Sequence, residues 1–304
     1  MKALVLGGNG FIGSNIVTKL QAQAVQVFVG SRKSNPQNNM PSILMQEMLQ
    51  INDWLPVLKN LGFQAGDVVV NSVGILRERP NESYEKIHNL AVMALAQACA
   101  RLDIRLIHIS AIGLTVTAKS QFIRSKFAGE QAVLASGAQA IIVRPSLLDG
   151  EGGYGAKWFR RVATWPLQFV MQSPGLVAPL QVTDLGEAVA NLGAMNFADL
   201  PKIIELGGND VVTIPQYLNQ LRVSTKRKPA IQIAMPKMLV CLVSHVFDGL
   251  AWTPLSFGHF ELMQGYNVPA KNSLPMLLGR RPSEIGARIE IEPDLSLAGG
   301  VFSK

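Results

Sequence analysis

Three glycines spaced three apart, in Gly7-Gly8-Asn9-Gly10-Phe11-Ile12-Gly13, are the first residues in this chain whose arrangement could do chemistry. Residues 3–6 before them are apolar and strand-like, and Ile12, Ile16, Val17 and Leu20 recur at helical spacing, so the glycines sit on a strand-to-helix turn. This is the pattern of a dinucleotide-binding turn. Gly7 permits the sharp bend, Gly10 lets a pyrophosphate approach the backbone, and Gly13 lets the helix lie close on the strand. Asn9 lies within the turn. The N–H groups of Phe11 and Ile12 open a helix whose dipole favours negative charge.

A second group bears on which nucleotide. A site for NAD(H) of this kind usually places Asp or Glu near the end of the second strand, where it accepts from the ribose hydroxyls. Here that stretch reads Gly30-Ser31-Arg32-Lys33. A guanidinium beside a hydroxyl grips a 2′-phosphate through charge-assisted hydrogen bonds. The sequence therefore predicts NADP(H) ahead of NAD(H).

The elements that must position these residues follow from periodicity. Strand patterns fall at residues 25–29, 67–72, 105–110 and 140–144, with a short one near 43–45. Helical patterns begin near Asp53 and span 83–102 and 120–136. Val68-Val69-Val70 is continuously apolar, as in a parallel sheet covered on both faces. The expected fold class is α/β: a doubly wound, Rossmann-like parallel sheet with a smaller C-terminal lobe. After Arg144 come a glycine-rich loop, Asp149 to Gly155, a helix over 158–172 kinked at Pro166, a helix over 185–196 capped by Thr183-Asp184, and a strand at 202–206. We expect residues 1–147 to form the dinucleotide-binding domain, with 182–207 returning to it. Residues 148–181 and 208–304 form the smaller substrate or partner lobe.

Composition narrows the class. The chain has 304 residues, 48% hydrophobic and 16% charged, ample for a core. Its two cysteines, Cys99 and Cys241, make no disulfide framework and lack partners at zinc-motif spacing, so we expect buried thiols, a reducing cytoplasmic compartment and no metal. The net charge of +7 comes in short groups (Arg32-Lys33, Arg160-Arg161, Lys226-Arg227-Lys228, Arg280-Arg281) without the interleaved aromatics that nucleic-acid binding favours. The apolar stretch 238–247 falls short of the roughly 18 residues of a spanning helix. Peripheral contact with the inner face of a membrane remains compatible with it, crossing does not.

By the sixth strand the segments add up to a resemblance. Gly7 to Gly13, Asn71-Ser72-Val73-Gly74, Ile109-Ser110-Ala111-Ile112-Gly113, Ser125-Lys126-Phe127-Ala128-Gly129-Glu130 and Val143-Arg144-Pro145-Ser146 stand in the order found in extended and atypical short-chain dehydrogenases/reductases, the NAD-dependent epimerase/dehydratase-like group. More narrowly, the chain resembles the subgroup containing the nucleotide-binding accessory subunit of respiratory complex I and the reductase-like half of DoxX-fused bacterial proteins. Trp54, Val73-Gly74-Ile75-Leu76, Ile87-His88-Asn89, Gly153-Tyr154-Gly155 and Leu278-Gly279-Arg280-Arg281-Pro282 carry that comparison. The resemblance adds Val73, Gly74, Pro145 and Ser146 to the expected cofactor contacts.

It also implies a catalytic set and exposes a defect in it. In active members a strand-five serine works with a Tyr-x-x-x-Lys pair: tyrosine exchanges the proton, lysine holds the nicotinamide ribose, serine orients the carbonyl. The corresponding positions here are Ser110, Phe122 and Lys126. A phenyl ring has no ionisable proton, and positioned acid–base chemistry contributes about 10²–10⁴-fold in rate. Tyr154 is a candidate substitute; His88 and His108 read as buried hydrogen-bonding residues, and Asn89 as a steadying residue. Trp158, Phe159, Trp165, Phe169 and Met171, with the helix from Met238 and Trp252, Phe257 and Phe260, could wall a quinone-like ligand. Two readings stand: an NADP(H)-dependent oxidoreductase on an apolar carbonyl or quinone-like compound, or a non-catalytic NADP(H)-binding structural or redox-sensing protein docking to a membrane complex. Oligomeric state stays open.

Overall fold

The computed structural model describes residues 1–32, 41–44, 48–171, 174–236 and 257–285. Its centre is a seven-stranded sheet in the order β11-β6-β5-β4-β1-β2-β3, every pairing parallel. The strands are β1 (Lys2–Leu6), β2 (Gln26–Ser31), β3 (Ser42–Leu44), β4 (Val68–Asn71), β5 (Arg105–Ile109), β6 (Ala140–Pro145) and β11 (Ile203–Leu206). The order reverses at β1, which pairs with β2 on one side and β4 on the other, so a crevice opens beyond their carboxyl ends.

Period-two side chains explain how both faces of the sheet are covered. Ala3, Val5, Val68, Val70, Ile107, Ile109, Ile141 and Val143 point to one core, completed by α1 (Phe11–Ala22) and α6 (Val182–Ala194). Leu4, Leu6, Val69, Leu106 and Ile142 point to the other, against α2 (Ile51–Asn60) and α3 (Ala91–Arg101), with Val133 of α4 (Gln121–Ala135). A continuous apolar strand is thus two alternating faces, each with its own helical layer.

The chain beyond β6 is built differently. It contributes β7 (Leu148–Asp149), α5 (Tyr154–Ala163), β8 (Leu167–Met171), β9 (Leu176–Val177), β10 (Leu180–Gln181), α7 (Ile214–Ser224), β12 (Ile231–Met235), α8 (Phe257–Gln264), β13 (Tyr266–Asn267) and α9 (Leu274–Leu278). Its strands form three two-stranded parallel pairs, β7 with β10, β8 with β12 and β9 with β13. Around fully buried Tyr217, α5 and α7 share an apolar cluster.

Several expectations need correction. The helix expected over 158–172 ends at Ala163, and Leu167–Met171 is a strand. Pro166 lacks the N–H a continuing helix needs and disfavours helical backbone at Trp165, while its carbonyl accepts the Ile231 N–H at 2.9 Å and starts the pairing with β12. The helix expected over 83–102 is π-helical over Glu85–Leu90 before α3. Asp184 does not cap α6, whose N-cap is Gln181. Its buried carboxylate accepts from Arg280 at 2.8 Å and from the Ser283 N–H at 2.6 Å, which accounts for the Arg280-Arg281-Pro282 segment as a tie to α6. Met45, Lys33, Cys241, Trp252, Gln172 and the 238–247 stretch lie outside the described residues.

Candidate functional site

The glycine turn folds as its spacing demands. Gly7 has φ +76°, donates to the Gly30 carbonyl at 2.8 Å and accepts from the Gly10 N–H at 2.8 Å. A Cβ on Gly13 would stand 2.2 Å from the Gly7 carbonyl oxygen, so only glycine lets α1 start this close to β1. At Gly10, the N-cap of α1, a Cβ would meet only that same oxygen, at 3.1 Å, so the turn is open on its outer side. Phe11 and Ile12 begin the helix behind Asn9 and Gly10. The Phe11 ring packs on the loop before α5, where a Cβ on Gly153 would lie 2.8 Å from it.

Beside the turn a cavity of about 450 Å³ is lined by Leu6, Met48, Trp54, Val73, Ala91 and Leu95, with Arg32, Lys86 and Glu82 among its polar residues. It is apolar at its base and charged at its mouth. Ser31, buried, ends β2; Arg32 follows it and forms an ion pair with Glu82 from the loop after β4. The second Glu82 oxygen is buried without a hydrogen-bond partner among the described residues. Val73 is fixed by its N–H donating to Asn71 Oδ1 at 3.1 Å.

The second part of the site lies at the ends of β4 and β5. Ser110 follows β5, is buried, and its hydroxyl has no hydrogen-bond partner among the described residues. Lys126, on α4, stands by Gly74 and His88: a Cβ on Gly74 would be 3.8 Å from Lys126 Nζ and 3.7 Å from His88 Nε2. A Cβ on Gly129, one turn on, would strike the His88 carbonyl oxygen at 1.9 Å, so that glycine lets α4 approach the π-helical segment. Burial lowers the Lys126 ammonium to about 8, partly countered by Glu130. Burial, with nearby Lys126, also holds His88 down to about 2 and His108 to about 3, so both rings are neutral. His88 Nε2 accepts the Ile75 N–H at 3.1 Å, which leaves Nδ1–H to donate to Ser125 Oγ at 3.0 Å. Asn71 Nδ2 donates to His108 Nδ1 at 3.2 Å. Both histidines are thus hydrogen-bonded core residues, while Asn89 bonds Glu85 within its own helix at 2.8 Å.

Phe122 is where the tyrosine is missing, and it is enclosed. Its ring lies 5.7 Å from Tyr84, 5.5 Å from His88 and 5.1 Å from His259, and only 6% of the residue is exposed. Lys126 Nζ is 6.0 Å from its centroid. Helix α8 closes the outer side: a Cβ on Gly258 would touch Phe122 Cβ at 3.0 Å. The Glu261 carboxylate fastens that helix by accepting the Lys119 and Ser120 N–H groups, each at 2.7 Å, at the open end of α4.

Other expected residues are employed elsewhere. The Ser146 hydroxyl donates to the Asn267 carbonyl and accepts the Ala178 N–H at 2.9 Å, joining β6 to the C-terminal part. Pro145 is buried and pairs with Leu206. Tyr154 is the first residue of α5, half exposed. Asp149, the first residue of the glycine-rich loop, is fully buried and takes a two-point contact from Arg160 at 3.1 and 2.9 Å.

A family model described as NAD dependent epimerase/dehydratase family matches residues 3–167, more than half the chain. The chain belongs to that family. Among curated relatives it is 24% identical over 266 residues to "NADH dehydrogenase [ubiquinone] 1 alpha subcomplex subunit 9, mitochondrial" of Dictyostelium discoideum, covering 83% of this chain and 72% of that protein. The Mus musculus protein of the same name is 28% identical over 62% of this chain, which spans only about half (52%) of it. A "Ceramide reductase" of Caulobacter vibrioides is 26% identical over 66% of this chain and 63% of its own length. Among solved structures, MoeE5 in complex with UDP-glucose and NAD superposes with a TM-score of 0.65 at 17% identity, over 93% of this chain and 94% of that one. That likeness establishes the shared fold.

Within this family frame, sequence reasoning missed Glu82, Lys86 and His259. Glu82 reaches the site from a loop and His259 from a distant helix, while Lys86 lies within the helical pattern over 83–102 with nothing to mark it as facing the cavity. Trp54 was visible only through the resemblance, and the structure puts it, 2% exposed, at the base of the cavity.

Proposed function

We propose that this protein binds NADP(H) and holds it as a structural or redox-sensing group that docks to a membrane complex, without turning it over. The observation that carries the reading is the enclosed Phe122, which leaves no ionisable group at the tyrosine position. The glycine turn fits a dinucleotide. Its outer side is open, α1 begins there, and the adjoining cavity has the size and mixed lining of an adenosine site. Gly7, Asn9, Gly10, Phe11, Ile12 and Gly13 would take the pyrophosphate, Val73 and Gly74 the middle of the molecule, and Lys126 the nicotinamide ribose. Ser31 and Arg32, with Lys86, would take the 2′-phosphate once Arg32 leaves Glu82. When bound, such a group supplies a hydride at its nicotinamide. The relatives named as NADH dehydrogenase subunits support the docking half of the reading.

The test is direct. NADPH affinity is measured on the purified chain, then reduced-nicotinamide absorbance is followed with a panel of aldehydes, ketones and quinones. Micromolar binding without oxidation is the expected result; oxidation by any of them overturns the non-catalytic reading. The second reading, a reductase acting on an apolar carbonyl or quinone-like compound, is favoured by the unpartnered Ser110 hydroxyl and by the ceramide reductase relative. It needs a proton from another group, with His259 beside Phe122 and Tyr154 as candidates.

A further inference from the structure

Among the described residues, no other element covers the outer face of the β8/β12 pair. Register sets Leu167 opposite Ile231 and Phe169 opposite Ile233. The four are 40%, 70%, 57% and 43% exposed, and Trp165 continues the strip at 41%. The inner face is occupied: Gln168 is fully buried and donates to the Val162 carbonyl at 3.2 Å, and Val170 joins the α5–α7 core. An apolar ladder across two paired strands, β8 packed beneath and β12 exposed along most of its length, is unusual on a protein surface and marks contact with an apolar partner.

Charge says which partner. The turn leading into β12 carries Lys226, Arg227 and Lys228, all exposed, and is pinned beside the strip because Arg227 donates to the Thr164 carbonyl at 3.3 Å. Exposed Arg161 belongs to the same end of α5. The sequence has no Asp or Glu from residue 152 to 183 or from 211 to 247, the two stretches that supply β8 and β12. Those stretches hold eight of the 28 Lys and Arg and none of the 21 Asp and Glu, so the rest of the chain carries one more acid than base. The whole net positive charge therefore resides in the parts that build the apolar strip. Apolar and aromatic side chains flanked by cations, in stretches of sequence without acids, are what an anionic bilayer surface attracts: the rings enter the headgroup boundary while the cations stay at the phosphates.

We propose that this strip, Trp165, Leu167, Phe169, Ile231 and Ile233 with the Lys226–Lys228 turn, seats the protein on an anionic lipid surface. This deepens the docking half of the reading above and does not depend on nucleotide. The experiment is co-sedimentation of the full chain with vesicles of phosphatidylcholine alone or mixed with phosphatidylglycerol. Binding to the mixed vesicles is expected, weak or absent on phosphatidylcholine alone, and falling as salt rises towards about 0.5 M. The combined K226E, R227E and K228E variant should bind at least about tenfold more weakly. Phe169→Ser with Ile233→Ser should do the same without altering the salt slope. Thermal melting and NADPH titration run alongside verify that each variant is folded, and keep the outcome separate from that of the nucleotide reading. No binding of the unaltered chain to anionic vesicles, or binding unmoved by both variants and by salt, overturns the proposal. Binding that appears only when an acidic membrane protein is embedded in the vesicles also overturns it, in favour of a protein partner.

Discussion

Two corners of one sheet edge have had opposite histories. At the end of β1, Gly7, Gly10 and Gly13 keep a turn open on its outer side, and any side chain at Gly13 would drive into the Gly7 carbonyl oxygen. At the end of β5, some distance along the same edge, Ser110 and Lys126 remain, but the position between them is a phenyl ring under the cover of α8. On the proposed reading, the corner that would recognise the nucleotide is intact and the corner that would exchange a proton is filled. Binding and turnover are separable demands on a fold, because the first needs backbone and charge while the second needs one particular ionisable atom.

The largest expected effect breaks the first corner. Gly13→Val should cost more than about 3 kcal/mol and abolish nucleotide binding, since its Cβ would stand 2.2 Å from the Gly7 oxygen; denaturant melts and an NADPH titration check it. Next come the histidines behind the second corner. Both are held far below the usual 6.5, so the unfolded chain binds their protons first and stability is lost as pH falls below 6.5. Each should remove on the order of 2 kcal/mol by about pH 5, and His108→Asn should flatten the slope in pH-dependent urea melts. Lys126→Ala should weaken NADPH roughly tenfold, the worth of a charged hydrogen bond. With the lysine in place, affinity should decline as pH rises through about 8, and the variant should lack that decline.

A smaller effect sharpens the nucleotide choice. Glu82→Gln frees Arg32 and should raise NADPH affinity by about threefold to tenfold with NADH unchanged, while an equal rise for both would place Glu82 outside the phosphate corner. Smallest of all, Phe122→Tyr should cost only about 1 kcal/mol and, on the non-catalytic reading, restore no turnover, because the ring is enclosed by Tyr84, His88 and His259. Recovered oxidation of NADPH in that variant would show that the second corner is closed by chemistry alone.

The central sheet was legible because its signals are local. Val68-Val69-Val70 reads as a strand covered on both faces, and the glycine turn carries its own punctuation. The break at Pro166 was legible too, but it was read as a kink; only the Ile231 partner more than sixty positions away turns Leu167–Met171 into a strand. Arg32 was found, yet Glu82 opposite it was not, since nothing in a loop sequence announces which strand end it will face. Ser146 was placed at the site by resemblance, whereas its hydroxyl serves Asn267 and Ala178. Phe122 was identified from one position on a helix, and its cover was invisible for the same reason as Glu82: α8 arrives from far along the chain.

The Glu261 clasp on the Lys119 and Ser120 amides has a mechanical corollary. Helix α8 covers the Phe122 ring, and the carboxylate that clasps it to α4 lies about one turn beyond the covering Gly258. Exposing that ring means parting α8 from α4, and a carboxylate gripping two amides is the latch that must hold or let go.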